Sequence, residues 1–275
     1  MRLAAESLTH RYNGRPVVDG VSLDLESGEL VAVVGPNGSG KTTLLRAMSR
    51  LLKPAAGQVF LDGQEIRSLG ARGVARRLAV LPQVHDGAQD LTVRELVWRG
   101  RYPHQGLLQR ATAPDHEAVA WALDAADLQP LTERPLASLS GGERQRAWIA
   151  LALAQQPRVL LLDEPTSFLD VQHQIEVMAL LHRLNAEGMT IVAVVHDLSL
   201  AGRFMERVIG VRDGRVVFDG PPREVLQPEP LEAVFDIPML VLEDPESGLP
   251  IPLPRYPAGM GSSSTAAPSA ARGRP

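Results

Sequence analysis

The chain contains no cysteine. This excludes disulfides, thiolate catalysis and cysteine-ligated zinc or iron–sulfur centres, and it fits a reducing compartment. Nor is there an apolar run approaching the roughly 18 residues that cross a bilayer. The opening stretch, MRLAAESLTHRYNG, lacks the apolar core of a signal peptide. The expectation is a soluble protein that meets a membrane only through a partner. Lysine is scarce: Lys41 and Lys53 are the only two among 28 basic residues. An excess of positive charge is missing too. The net charge is −4 and the pI near 6.0, so nothing points to nucleic acid. What remains is ordinary for a globular protein, with 44% hydrophobic and 22% charged residues. A chain of 275 residues is long enough for a substantial core, in one large domain or two small ones.

One stretch carries recognisable chemistry, LVAVVGPNGSGKTT at residues 30–43. An apolar run meets Gly35, Pro36, Asn37, Gly38, Ser39 and Gly40, then Lys41, Thr42, Thr43 and a helical pattern. This is G-x-x-x-x-G-K-[ST], the phosphate-binding loop, with strand, loop and helix in the required order. Glycine lets the main chain approach phosphates closely. Successive amides then make an anion nest at a helix N-terminus. Lys41 is placed to neutralise the β- and γ-phosphates, and the Thr42 hydroxyl to hold Mg²⁺. In a chain that uses arginine almost everywhere, lysine stands where a compact point charge is needed.

The rest of the chain reads as an α/β protein. Residues 1–27 suggest short strands with turns at Asn13-Gly14 and Ser27-Gly28. Gln58–Leu61 before Asp62-Gly63 suggests a hairpin. Leu78–Leu81 is a short strand followed by Pro82 and Gln83, which alone would be a solvated loop residue. From about Asp90 to Pro157 apolar residues recur at helical spacing, as in a helical insert. Its last helix opens with Ser140-Gly141-Gly142-Glu143, a capping box. The box does not explain two glycines, each costing about 1 kcal/mol against alanine in a helix. They suggest close approach to this positive helix end, and its partial charge suits an anion.

Val159–Leu162 reads as a strand buried on both faces and ends in Asp163-Glu164-Pro165. Ligand sites in open α/β sheets lie beyond the carboxyl ends of strands, and two acids there suit a Mg²⁺-nucleotide site. Ser167-Phe-Leu-Asp170 follows, then an amphipathic helix from about Val171 to Glu187. A second buried strand, Thr190–Val195, ends in His196-Asp197. Val208–Phe218 reads as a closing hairpin. Glu224–Phe235 reads as a terminal helix broken by Pro228 and Pro230. Residues 237–256 are compatible with a small hairpin, and residues 257–275 have too few apolar side chains to order.

In order, GPNGSGKTT, LPQ, LSGGERQR, VLLLDEP with SFLD, and VVHD make this chain resemble the nucleotide-binding subunit of an ABC transporter over residues 1–240. The resemblance implies a P-loop NTPase core with a mainly parallel sheet, an N-terminal antiparallel β subdomain and a helical subdomain at about 90–157. A small extension would occupy 241–256 and a disordered tail 257–275. It implies ATP and Mg²⁺ as cofactors. Tyr12 corresponds to the aromatic that stacks on adenine, and Gly35–Thr43 to the phosphate loop. Gln83 corresponds to the residue contacting Mg²⁺ and the attacking water, Asp163 to the Mg²⁺ acid, and Glu164 to the residue that polarises water. His196 matches the switch histidine at the γ-phosphate. Asp170 lies in the loop that crosses the dimer interface. Ser140, Gly141 and Gly142 match the signature that contacts the γ-phosphate in a second copy.

The implied partners are that second copy in an ATP-sandwich homodimer, transmembrane permease subunits at the cytoplasmic face of the membrane, and indirectly a substrate-binding protein. LTVRELVWRGRYPHQGLL at 91–108, FLDVQHQIEVMALL at 168–181 and IPMLVLEDPESGLPIPLP at 237–254 resemble the subfamily serving importers of iron–siderophore complexes, haem and cobalamin. The competing reading is a soluble ABC ATPase outside transport. The GRYPH segment itself reads as a loop joining two helices.

Overall fold

The computed structural model describes residues 1–83, 89–106 and 111–255. The expected disordered tail and the end of the 91–108 stretch lie outside them. Strands β1 (Leu3–Tyr12) and β2 (Arg15–Leu25) come first, followed by β3 (Leu30–Val34), α1 (Lys41–Met48), β4 (Ala56–Leu61), β5 (Gln64–Glu65), α2 (Gly70–Ala75) and β6 (Leu78–Leu81). Helices α3 (Val93–Trp98), α4 (Ala113–Ala125) and α5 (Gly141–Ala154) occupy the middle. Then come β7 (Val159–Asp163), α6 (Val171–Ala186), β8 (Thr190–Val194), α7 (Leu198–Phe204), β9 (Arg207–Arg212) and β10 (Arg215–Gly220). The chain closes with α8 (Pro222–Val225), α9 (Pro228–Phe235), β11 (Met239–Glu243) and β12 (Pro250–Pro254).

A six-stranded sheet of order β10-β9-β3-β8-β7-β6 forms the centre, parallel throughout except for β10. Every residue of β3, β7 and β8 is buried, which is why these strands read as unbroken apolar runs. Period-2 alternation divides them between two cores. Leu30, Ala32, Leu160, Leu162 and Ile191 face the core built with α3–α6. Val31, Val33, Val159, Leu161 and Val192 face the core shared with α1 and the four-stranded antiparallel sheet β2-β1-β4-β5. The chain thus has the expected α/β architecture. The six-stranded sheet also brings the P-loop, Gln83, Asp163-Glu164 and His196 to the carboxyl ends of neighbouring strands.

One local reading changes and another gains detail. The N-terminal strands are long, at 10 and 11 residues. They are joined at Asn13-Gly14 with φ of 50° and 79°, the left-handed pair of a type I′ hairpin. The stretch Glu224–Phe235 is divided as expected, since α8 ends at Val225 and α9 begins at Pro228; Pro228 and Pro230 sit in the first turn of α9, where amides have no intrahelical partner to lose. β11 and β12 pair antiparallel in a two-stranded sheet. Pro250, Pro252 and Pro254 stand at alternate positions, so their missing amides fall on one edge and blunt it against further pairing. No helix among the described residues is long and apolar enough to cross a membrane.

Candidate active site

The glycine-rich loop leaves the buried end of β3 and enters α1 at Lys41. Gly35 has φ 149°, and a Cβ there would lie 2.1 Å from the Val211 carbonyl oxygen. Gly40 has φ 102°, and a Cβ there would lie 2.2 Å from the Val17 carbonyl oxygen. Both positions are therefore closed to side chains by backbone from β9 and β2. Lys41 is buried, and its Nζ donates to the carbonyls of Gly35 and Pro36, each at 2.9 Å. Burial lowers its pKa, opposed by the charges of Glu164 and Asp163. The Ser39 hydroxyl is buried and has no hydrogen-bond partner among the described residues. A buried cation and an orphaned polar atom beside a nest of amides fit an anionic phosphate.

The acids come from β7 and the turn after it. Thr42 Oγ1 donates to Asp163 Oδ1 at 2.9 Å. Burial pushes the Asp163 carboxyl up; the Thr42 bond pulls it back, and the Glu164 charge adds to the rise. Two adjacent carboxylates, one of them buried, with a threonine hydroxyl alongside, are a hard-oxygen donor set that suits a divalent cation. Glu164 has φ 55° and Phe168 φ 63°, left-handed values uncommon for residues other than glycine. Three side chains converge on Glu164. Gln83 Nε2 and Ser167 Oγ donate to its Oε2, at 2.5 and 2.8 Å, and His196 Nε2 lies 2.5 Å from its Oε1. Burial raises the Glu164 carboxyl, but the bonds from His196 and Ser167 outweigh it and the net shift is downward. Glu164 therefore holds its charge at neutral pH.

Sequence reasoning passed over Ser167, because a serine in a loop carries no signal of its partner. The Val17 backbone, which closes the loop from the opposite sheet, was equally invisible. The cavity at this point measures about 150 Å³ and is lined by Val17, Gly38, Lys41, Thr42, Thr43 and Glu164, among others. Asp163, Gln83 and His196 join it through the bonds described above.

The remaining candidates lie elsewhere. Ser140 caps α5 by accepting from the Glu143 amide, and Glu143 accepts from the Ser140 amide. Asp170 caps α6 by accepting from the His173 amide at 2.9 Å. Gly141 faces Leu169 and Gly142 faces His173, so the signature and the 169–173 segment form a second cluster, none of which lines the cavity. Tyr12 is half-exposed at the end of β1, its ring edge-on to His10 with centroids 4.8 Å apart. Replacing Lys41 by Ala is expected to weaken ATP binding by about 10–100-fold, the loss of a charge-assisted contact worth roughly 1.5–3 kcal/mol. Titration with a fluorescent nucleotide checks this; unchanged affinity would remove the loop from the site.

Comparison with known proteins agrees with the geometry. The family described as ABC transporter matches residues 18–167. The ferric enterobactin transport ATP-binding protein FepC of Escherichia coli (strain K12) is 44% identical over 254 residues, covering 92% of this chain and 94% of that protein. A solved ABC transporter described as of metal-chelate type, in an inward-facing conformation, superposes with a TM-score of 0.81 at 28% identity, covering 92% of this chain and 97% of that one. A bacterial ABC transporter cassette solved as a dimer gives 0.70 at 30% identity, covering 80% and 98%. This chain belongs to the ABC transporter family and is one of its ATP-hydrolysing, nucleotide-binding subunits.

Proposed function

We propose that this subunit drives import of iron(III)–siderophore complexes, working as a pair of identical copies docked to a membrane permease at its cytoplasmic face. The observation that carries the pairing is the incompleteness of the site. A cavity of about 150 Å³ is smaller than the roughly 300–1,000 Å³ of pockets that enclose a ligand. The helix N-terminus at Ser140–Gly142, suited to an anion, lies outside it. Two copies placed head to tail let one signature cover the other's P-loop, with ATP between them. Closure then depends on nucleotide, because the contacts exist only in the closed state.

Lys41 and the loop amides hold the phosphates, and Tyr12 stacks on the base. Thr42 and Asp163 are the protein ligands for Mg²⁺, with Gln83 beside them; Mg²⁺ neutralises phosphate charge when bound. Glu164 orients the attacking water. A carboxylate has about four acceptor sites; Gln83, Ser167 and His196 fill three, which leaves one for a water hydrogen. His196 is then in place to contact the γ-phosphate, and Ser140–Gly142 and Asp170 act on the second copy.

The permease reading is supported by a groove of about 270 Å³ lined by Arg50, Leu51, Ala71, Val74, Val80 and Gln155, among others. Leu51 is 65% exposed, and β6 leads from this groove directly to Gln83. The substrate reading draws on the ferric enterobactin function of FepC. A pull-down from detergent-solubilised membranes is expected to recover a permease, and deletion of the gene to abolish ferric siderophore uptake. Leu51→Glu is expected to lose the permease. Recovery of soluble proteins alone would favour a soluble ABC ATPase instead.

A further inference from the structure

The signature glycine Gly142 is closed by this chain's own α6. A Cβ on it would lie 1.9 Å from Cδ2, 2.4 Å from Cγ and 2.8 Å from Cβ of His173. Contact with a histidine Cβ cannot be relieved by turning the ring. Gly141 faces the same segment, with a Cβ contact of 3.4 Å to Leu169. His173 is itself fixed from the other side. Its amide donates to Asp170 Oδ1 at 2.9 Å, and its Nδ1 donates to the same oxygen at 2.7 Å. One turn further along, Arg146 of α5 pairs with Glu176 of α6 at 2.6 Å.

We propose that His173 is a positioning residue that locks Ser140–Gly142 to Asp170. The two segments that face a second copy of the chain then move as one body. This rests on the reading that two copies close around ATP, and it assigns Gly142 a second demand beside any nucleotide approach: the imidazole of its own subunit must fit against it. Nothing in the catalytic chemistry requires a histidine here. What the site requires is that Asp170, capping α6, and Ser140, capping α5, keep a fixed spacing while the interface forms and parts.

Size compensation tests it. Gly142→Ala is expected to lower ATPase activity by about tenfold or more, an overpacking cost converted to rate. Adding His173→Ala should restore part of that loss, since only the Cβ contact at 2.8 Å persists. Adding His173→Gly should restore more, although glycine weakens α6. Thermal unfolding of each variant, followed by circular dichroism, separates misfolding from mispositioning. ATP-dependent dimerisation in a Glu164→Gln background should follow the same order as the activity. If the Glu164→Gln chain dimerises with ATP but His173→Ala alone leaves activity and ATP-dependent dimerisation at the wild-type level, His173 has no positioning role; if neither histidine change raises activity above Gly142→Ala alone, the glycine serves the nucleotide and not the imidazole. If that chain stays monomeric with ATP, the two-copy reading falls, and the role of His173 with it.

Discussion

Glu164→Gln is expected to lower ATP turnover by about 10²–10⁴-fold, the usual contribution of a positioned general base, while nucleotide binding persists. The substitution is nearly isosteric and keeps an acceptor oxygen, so the side chain can still meet Ser167. What it removes is a charge that the surroundings protect: His196 and Ser167 hold the Glu164 carboxyl low despite its burial. Lys41, Thr42 and the loop amides are untouched, so the phosphates still bind. With hydrolysis blocked and binding intact, the chain is expected to accumulate as an ATP-bound dimer, visible by size-exclusion chromatography with light scattering. A variant that turns over ATP at the wild-type rate would remove Glu164 from the chemistry.

Arg101→Met is expected to destabilise the fold by about 3–5 kcal/mol, the cost of stranding a buried partner charge. Arg101 and Asp115 are both buried and meet at 2.9 Å. The same guanidinium donates to the Ala154 carbonyl, at the end of α5, and to Gln156 Oε1. Total stability of a domain is only about 5–15 kcal/mol, so urea or thermal unfolding should show the loss plainly. A change under 1 kcal/mol would mean that water reaches Asp115. Arg101→Met with Asp115→Leu should recover most of it, since an apolar pair of similar volume does not carry the desolvation cost. About 1 kcal/mol should stay lost, because Asp115 also serves the α4 cap at Thr112.

The same pair sets an acid limit. Burial pushes the Asp115 carboxyl up, but the Thr112 amide and hydroxyl and the Arg101 guanidinium prevail and hold it down at about 2. An unfolded aspartate titrates near 3.9. The stabilisation, about 2.6 kcal/mol from that difference, is therefore nearly complete above about pH 4 and is lost as the pH falls from there towards 2. Unfolding titrations over this window should show the loss in the wild type and not in the Arg101→Met, Asp115→Leu protein.

Arg101 also shows where the sequence stops being legible. The P-loop, the DEP turn and the HD strand end could be read because each is a local string whose residues act within a few positions of one another. Buried apolar runs located β3, β7 and β8 for the same reason. GRYPH was legible only as a loop, because the helix end it caps is some 50 residues away. A Cβ on Gly100 would lie 2.2 Å from the Leu151 carbonyl oxygen, Arg101 reaches the Ala154 carbonyl, and His104 Nε2 lies 2.8 Å from the Gln155 carbonyl. The segment caps the C-terminus of the signature helix, which no periodicity reveals. Gly142 is a similar case. The helix-propensity cost pointed to a close visitor, and the structure supplies one in the chain's own His173. Ser167 gave no signal because its meaning lies in the turn that aims it at Glu164.

The neighbours of β3 have a consequence for the order in which this chain matures. β3 hydrogen-bonds to β8 and β9, whose residues lie between Thr190 and Arg212. A ribosome adding about 5–20 residues per second takes roughly ten to forty seconds to pass from β3 to β9. Until β8 is made the nascent chain displays a complete GPNGSGKTT sequence whose strand lacks both lateral partners, and until β9 is made it lacks one. Asp163 and Glu164 are synthesised before β8, and His196 only after it. The side chains that converge on Glu164 can therefore come together only once β8 and the residues after it have been made.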